Sequence, residues 1–329
     1  MSSADLETLA RWRTIGVPHS EEVIELGRRV LDKGKGVMGD QEWALREQVA
    51  IAALDLGQHE LSREQIKILR SKFPNSPRVR ILDGLFFESQ GRVDQAREIY
   101  EGLLKIDETN VSAHQRLISL TLSTTSTSTS TSTSNSSTHA EQTTIPLLLR
   151  YLDIFYSDPS GWSLLSELYC DLGMYVQSLD ALGHLLAIQP WDENAVRRAG
   201  EVAYTHGDYQ LSLKHLLRSL EMQGNESTGP AVNGRRTRTW WGIKLAVSRL
   251  LESSSSSSSS SNSNASSTPA VESTVPPEMR TTEKQLKLLD ELATERLLAI
   301  SAKGGKGVNL DVIRKVLGSS TAAAGEIIR

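Results

Sequence analysis

The feature that most constrains this chain is a beat of about 34 residues. Gly57, Gly91, Gly173 and Gly207 each close an apolar helical run. A small residue follows five positions later: Ser62, Ala96, Ser178 and Ser212. A bulky one comes four after that: Ile66, Tyr100, Leu182 and Leu216. Two units then close on Pro74 and Pro190. Glycine ends a helix at low cost because it enters the left-handed region without a Cβ clash. Residues four apart share a face of the next helix. The pattern therefore predicts antiparallel helix pairs in tandem, each burying its apolar face only on its neighbours.

A helix–turn–helix period of this length is the tetratricopeptide signature. The expected fold class is all-α: a tetratricopeptide-repeat solenoid, a superhelix of antiparallel helix pairs, with capping helices and two disordered Ser/Thr-rich insertions. Residues 1–42 form an N-terminal segment with one capping helix, in which Ser20 caps and Val23, Leu26 and Val30 share a face. The array spans 43–252. Its units fall near 43–76, 77–110, 111–158, 159–192 and 193–226, and a capping helix at 237–251 carries Trp240 and Trp241. The third unit is split by an insertion at 123–140. Residues 253–281 make a second Ser-rich linker. Neither tract carries enough apolar surface to offset chain entropy, so both are expected to be disordered. A repeat tolerates such an insertion because loop-closure entropy grows slowly with length. A C-terminal helix at 282–301 places Leu286, Leu289, Leu292, Leu297 and Ile300 at roughly helical spacing and closes the array. The tail, 302–329, carries one weak amphipathic stretch, Val308 to Leu317.

Composition narrows the function classes. The formal net charge is −4, without the basic stripe of a nucleic-acid binder. The single cysteine, Cys170, permits no intramolecular disulfide and no cysteine-only metal site. Met1 to Arg13 is too polar for a secretory signal. No stretch approaches the ~18 apolar residues of a span. Lys33-Gly-Lys-Gly36 and Lys303-Gly-Gly-Lys-Gly307 lack phosphate-loop spacing. No nucleophile, base and oxyanion donors gather in one place. The expectation is no enzyme, no cofactor and no metal. The chain is expected to stay in the cytosol and to reach a membrane only through partners.

Repeat arrays of this kind hold other polypeptides, and the first helices line the concave side. Counting along each unit, the inward positions are Glu47, Gln48 and Ile51; Arg78, Ile81, Leu82 and Leu85; Gln115 and Arg116; Ser163, Leu164 and Glu167; and Arg197, Arg198, Glu201 and Tyr204. Ile51, Ile81, Leu82, Leu85 and Leu164 make an apolar strip on a face otherwise wet, as at a protein contact. A tighter winding would bury them instead. Arg197 and Arg198 beside Glu201 suit a mixed-charge peptide tail, or a merely solvated face.

Several runs go beyond the generic repeat. Glu47-Gln-Val-Ala-Ile-Ala-Ala-Leu-Asp-Leu-Gly57 with Phe73-Pro-Asn-Ser-Pro-Arg-Val79 resembles the start of the array in the family of subunit 2 of the endoplasmic reticulum membrane protein complex. Tyr151-Leu-Asp-Ile-Phe155, Trp162-Ser-Leu-Leu-Ser-Glu-Leu-Tyr169 and Glu201-Val-Ala-Tyr-Thr-His-Gly207 are similar to its later repeats. The resemblance covers roughly Ser20 to Leu251, and the Ser/Thr tracts mark a fungal-type member. It implies a non-catalytic scaffold, peripheral on the cytoplasmic side of the endoplasmic reticulum membrane and part of a hetero-oligomer. Such a scaffold clamps cytosolic segments of membrane-embedded subunits and docks a second soluble subunit, in support of insertion of tail-anchored and multipass proteins. The competing reading is a co-chaperone or adaptor gripping the peptide tails of other partners. A carboxylate clamp needs Lys and Asn at positions 5 and 9 of one first helix. Here those slots hold Glu47 and Ile51, Ile81 and Leu85, Gln115 and Ser119, Ser163 and Glu167, and Arg197 and Glu201.

Overall fold

The structure, a computed structural model, describes residues 3–16, 18–33, 39–128, 136–224, 230–258, 271–302 and residue 317. Among these there is helix and no strand. The chain divides into two compact units, Met1–Tyr156 and Ser157–Arg329. The first contains α1 (Ser3–Ile15), α2 (Ser20–Lys33), α3 (Gln41–Asp55), α4 (His59–Lys72), α5 (Pro77–Ser89), α6 (Val93–Ile106), α7 (Val111–Ser128) and α8 (Ser136–Ile154). The second contains α9 (Pro159–Asp171), α10 (Tyr175–Ile188), α11 (Glu193–His206), α12 (Tyr209–Met222), α13 (Pro230–Ser258), a single 3₁₀ turn (Pro277–Met279) and α14 (Glu283–Ala302).

The glycine beat sets the turns. Gly57, Gly91, Gly173 and Gly207 all have positive φ, +68°, +71°, +72° and +101°. In each case the next residue's amide reaches back five residues to a helical carbonyl: Gln58 to Ala53, Arg92 to Phe87, Met174 to Tyr169 and Asp208 to Ala203, at 2.7–3.0 Å. That bond satisfies a carbonyl the helix end would leave open, and it points the chain into the antiparallel partner. Each following helix then buries the residues singled out by spacing: Ser62, Ala96, Ser178 and Ser212, then Ile66, Tyr100, Leu182 and Leu216. The small slots of the first helices receive them. A Cβ on Gly84 would lie 2.4 Å from the Tyr100 ring, and one on Gly200 2.8 Å from Leu216. In the fourth repeat the two small slots are serines, and Ser178 Oγ donates to the Ser166 carbonyl at 2.9 Å, so the buried hydroxyl is satisfied. Asn110, Asp158 and Asp192 cap α7, α9 and α11 by accepting a backbone amide two or three residues on.

Four features depart from the sequence expectation. Residues 3–15 form a helix, α1, whose Leu9 is buried among Val23, Ile24, Leu45 and Val49, so the N-terminal segment supplies a helix pair rather than one helix. Helix enters the first Ser/Thr tract from both sides, to Ser128 and from Ser136, and residues 129–135 lie outside the described residues. The helix expected at 237–251 runs from Pro230 to Ser258. The linker expected to be disordered through 281 is instead fixed over its last part. Val275 is buried, and Ser273 and Thr274 are tied to Asp208. The reason is a partner no local pattern reveals: a buried carboxylate 65 residues earlier in the chain. Most of the Ser-rich run, 259–270, and most of the tail, 303–316 and 318–329, lie outside the described residues, as do Gly34 to Gly36. Leu317 is buried in a cluster with Leu213, Trp240, Ile243, Leu286 and Leu297.

Candidate partner-binding groove

In the first unit α3, α5 and α7 are successive first helices, with α3 against α5 and α5 against α7. Their inward positions converge on an open trough of about 700 Å³ lined by Glu47, Ile51, Arg78, Ile81, Leu82, Leu85, Gln115 and Arg116. Spacing alone thus brought together the residues expected there. Ile51 is 38% exposed, and Ile81 and Leu85 are half-buried. Leu82 is a correction: at 2% exposure it packs with Ala50, Ile66, Leu69 and Val79. The repeats are wound tightly enough at α5 to turn one position of the apolar strip into core. A charge there would be an unpaired ion in apolar surroundings, so Leu82→Asp reports on folding rather than on binding.

Gln48 also departs from its assigned role. Its Nε2 donates to the Leu9 carbonyl at 3.2 Å and ties α1 to α3. It faces a second depression of about 300 Å³, walled by Trp12, Pro18, His19 and Val23 and floored by Ala44, Gln48, Ile51, Ala52 and Asp55. Trp12 and His19 stack there with centroids 4.6 Å apart. A third depression, about 460 Å³, lies beside Trp43, Leu69, Phe73 and Val79, with Trp43 edge-on to Phe73 at 5.5 Å. Glu47 and Arg78 border all three. Repeat counting could not find Trp12 or His19, because they precede the first repeat. Their only signal was an aromatic residue in an otherwise polar N-terminus.

In the second unit the charges expected on the concave face are engaged with one another. Arg198 reaches Glu167 at 2.8 Å and Ser163 Oγ at 3.1 Å. Arg197 reaches Glu201 at 2.6 Å, and Arg238 of α13 grips the same carboxylate through two bonds of 2.7 and 2.9 Å. In the first unit Arg78 Nε donates to Glu47 at 2.7 Å. Arg78 and Arg198 each bind a glutamate 31 residues earlier, on the preceding first helix. These pairs cross-link neighbouring repeats and neutralise the face. That leaves less for a mixed-charge tail than the Arg197/Arg198 pair alone implied. Arg238 lies beyond the repeats that could be counted. Leu164 and Tyr204 are half-buried, and Tyr204 lies 5.3 Å from the Tyr209 ring.

No family model matches the chain. Among curated proteins it is 32% identical over 222 residues to ER membrane protein complex subunit 2 of Xenopus tropicalis, covering 67% of this chain and 70% of that protein. This chain belongs to the ER membrane protein complex subunit 2 family. A fission-yeast relative, TPR repeat protein oca3 of Schizosaccharomyces pombe, is 27% identical over 67% of this chain and 71% of its own length. Among solved structures, the C-terminal part of a TPR repeat-containing protein from Cytophaga hutchinsonii covers 92% of this chain with a TM-score of 0.54 at 12% identity. That likeness concerns the fold alone, and the fold is the tetratricopeptide repeat. Among the described residues of this subunit 2 family member, no helix is long and apolar enough to cross a membrane.

Proposed function

We propose that the chain is a non-catalytic scaffold subunit of the endoplasmic reticulum membrane protein complex, held peripherally on the cytoplasmic side of the membrane. Its groove clamps cytosolic segments of the membrane-embedded subunits and docks a second soluble subunit. By doing so it supports insertion of tail-anchored and multipass proteins. The observation that carries this reading is the first-unit trough. It is open, it sets exposed Ile51 beside half-buried Ile81 and Leu85, and its Glu47 and Arg78 are spent on each other, with Arg116 exposed in its lining. Such a surface binds by shape and apolar contact, which suits an extended segment that orders on docking. Family membership supplies the complex in which to look.

The test is an affinity pull-down from detergent-solubilised membranes. Ile51→Asp is expected to lose the membrane-embedded subunits with helicity unchanged, since Ile51 already meets solvent. The wild-type chain should pellet with membranes and be stripped by a carbonate wash. Equal recovery of subunits by wild type and variant would contradict the groove assignment.

A further inference from the structure

The depression beside Trp12 is built differently from the trough it adjoins. Its body is apolar, from Trp12, Val23, Ala44, Ile51 and Ala52, but the polar atoms at its base accept rather than donate. Gln48 Oε1 is shielded from solvent and has no hydrogen-bond partner among the described residues, while Nε2 of the same amide is fixed on Leu9. A buried acceptor left open costs free energy that an incoming donor recovers. Among the described residues Asp55 receives only the Ser20 hydroxyl, at 2.9 Å. Of the cations nearby, Arg78 is engaged with Glu47 and Arg13 is an exposed rim residue free to swing into water. His19 covers one face of the Trp12 ring; the remainder of the indole borders the pocket, and an indole is the best aromatic partner for a cation. A volume of about 300 Å³ is at the lower limit of small-molecule sites and takes one long side chain.

We infer that this pocket is a subsite for one basic side chain, a lysine or arginine of the segment the trough holds. The aliphatic stem lies on Val23 and Ile51, and the cationic head donates to Gln48 Oε1 and Asp55 beside the Trp12 ring. The inference rests on the trough reading and adds the chemistry of one position in the partner. Because α1 supplies the Trp12 wall, a segment lacking that residue still binds the trough but loses its register.

The experiment places a p-benzoyl-phenylalanine photoprobe in the full chain within the membrane-bound complex. One probe stands at the exposed pocket rim, Pro18, and another at exposed Arg116 in the trough. Both are expected to cross-link the same partner segment, with the Pro18 cross-link within two residues of a lysine or arginine. Changing that partner residue to glutamine is expected to weaken association about ten-fold, equivalent to ~1.4 kcal/mol. It should have little effect when this chain carries Gln48→Leu or Trp12→Ala. Cross-links from Arg116 but not Pro18, a Pro18 cross-link to a segment without a cation, or the same ten-fold loss in the Gln48→Leu and Trp12→Ala backgrounds would overturn the subsite and leave the trough standing. Cross-links from neither site would remove the trough reading itself.

Discussion

Asp208 offers the sharpest test of how this chain closes its last repeat. The residue caps α12 by accepting the Leu211 amide at 3.0 Å, and it is 1% exposed. Its carboxylate also accepts Ser273 Oγ at 2.7 Å, and the Thr274 amide and hydroxyl at 2.8 Å each. It therefore pins the returning segment 271–282, a strap, onto the α11–α12 turn, where Val271 lies over Gly207. Asp208→Asn separates the two roles. Asparagine caps as well as aspartate, so α12 should be spared. The amide nitrogen would face the Thr274 N–H, donor against donor. The two hydroxyl bonds would fall from charge-assisted to neutral strength, about 1 kcal/mol each, and the lost amide bond adds ~1 kcal/mol. Burying a neutral amide is cheaper than burying an ion, which returns part of the loss. The net is about 2–3 kcal/mol, or roughly 30- to 140-fold in the equilibrium for strap opening.

Hydrogen exchange reads this directly: the Thr274, Val275 and Thr281 amides should exchange faster by that factor while Leu211 does not. Unchanged exchange at Thr274, or equal acceleration at Leu211, would refute the reasoning. The pH dependence has a definite sign. Burial alone would raise the Asp208 pKa, but the hydrogen bonds from Ser273, Leu211 and Thr274 outweigh it and hold the carboxyl below its ordinary value. Strap protection is therefore complete above about pH 4, the unfolded carboxylate value, and is lost as pH falls through the depressed one.

Gly84→Ala forces a methyl into the Tyr100 ring at 2.4 Å; a loss of about 1–3 kcal/mol in denaturant unfolding is expected, whereas an unchanged midpoint would mean the repeat interface yields. Lys244, 5% exposed, bridges α13 to α14 through Asp290 at 2.7 Å and Thr294 at 2.9 Å. Lys244→Ala should cost ~3 kcal/mol, while Lys244→Met with Asp290→Leu should cost much less, because only the single change leaves a charge unpaired; thermal melts of both variants decide it. His215 is held below its ordinary pKa by burial and then by Arg218. Its stabilising effect is therefore full above the unfolded value and declines as pH falls below about 6.5. His215→Gln should flatten the melting temperature between pH 7.5 and 5.5.

Much of this molecule was legible one residue at a time. A glycine that must take positive φ, a small residue that must admit a neighbour and a bulky one that fills the gap recur at fixed spacing, because each repeat solves the same local packing problem. The sequence therefore determined the all-α repeat, the glycine turns at 57, 91, 173 and 207, and which positions of α3, α5 and α7 meet in a trough. What only tertiary structure decided depends on partners remote in sequence. The winding of α5 put Leu82 into the core. The buried Leu9 and the Gln48 bond turned an unpatterned N-terminus into the wall of a pocket. Asp208 ordered a stretch that composition alone assigns to disorder. Periodicity encodes contacts that recur along the chain. A contact made once, between residues tens of positions apart, leaves no period to read.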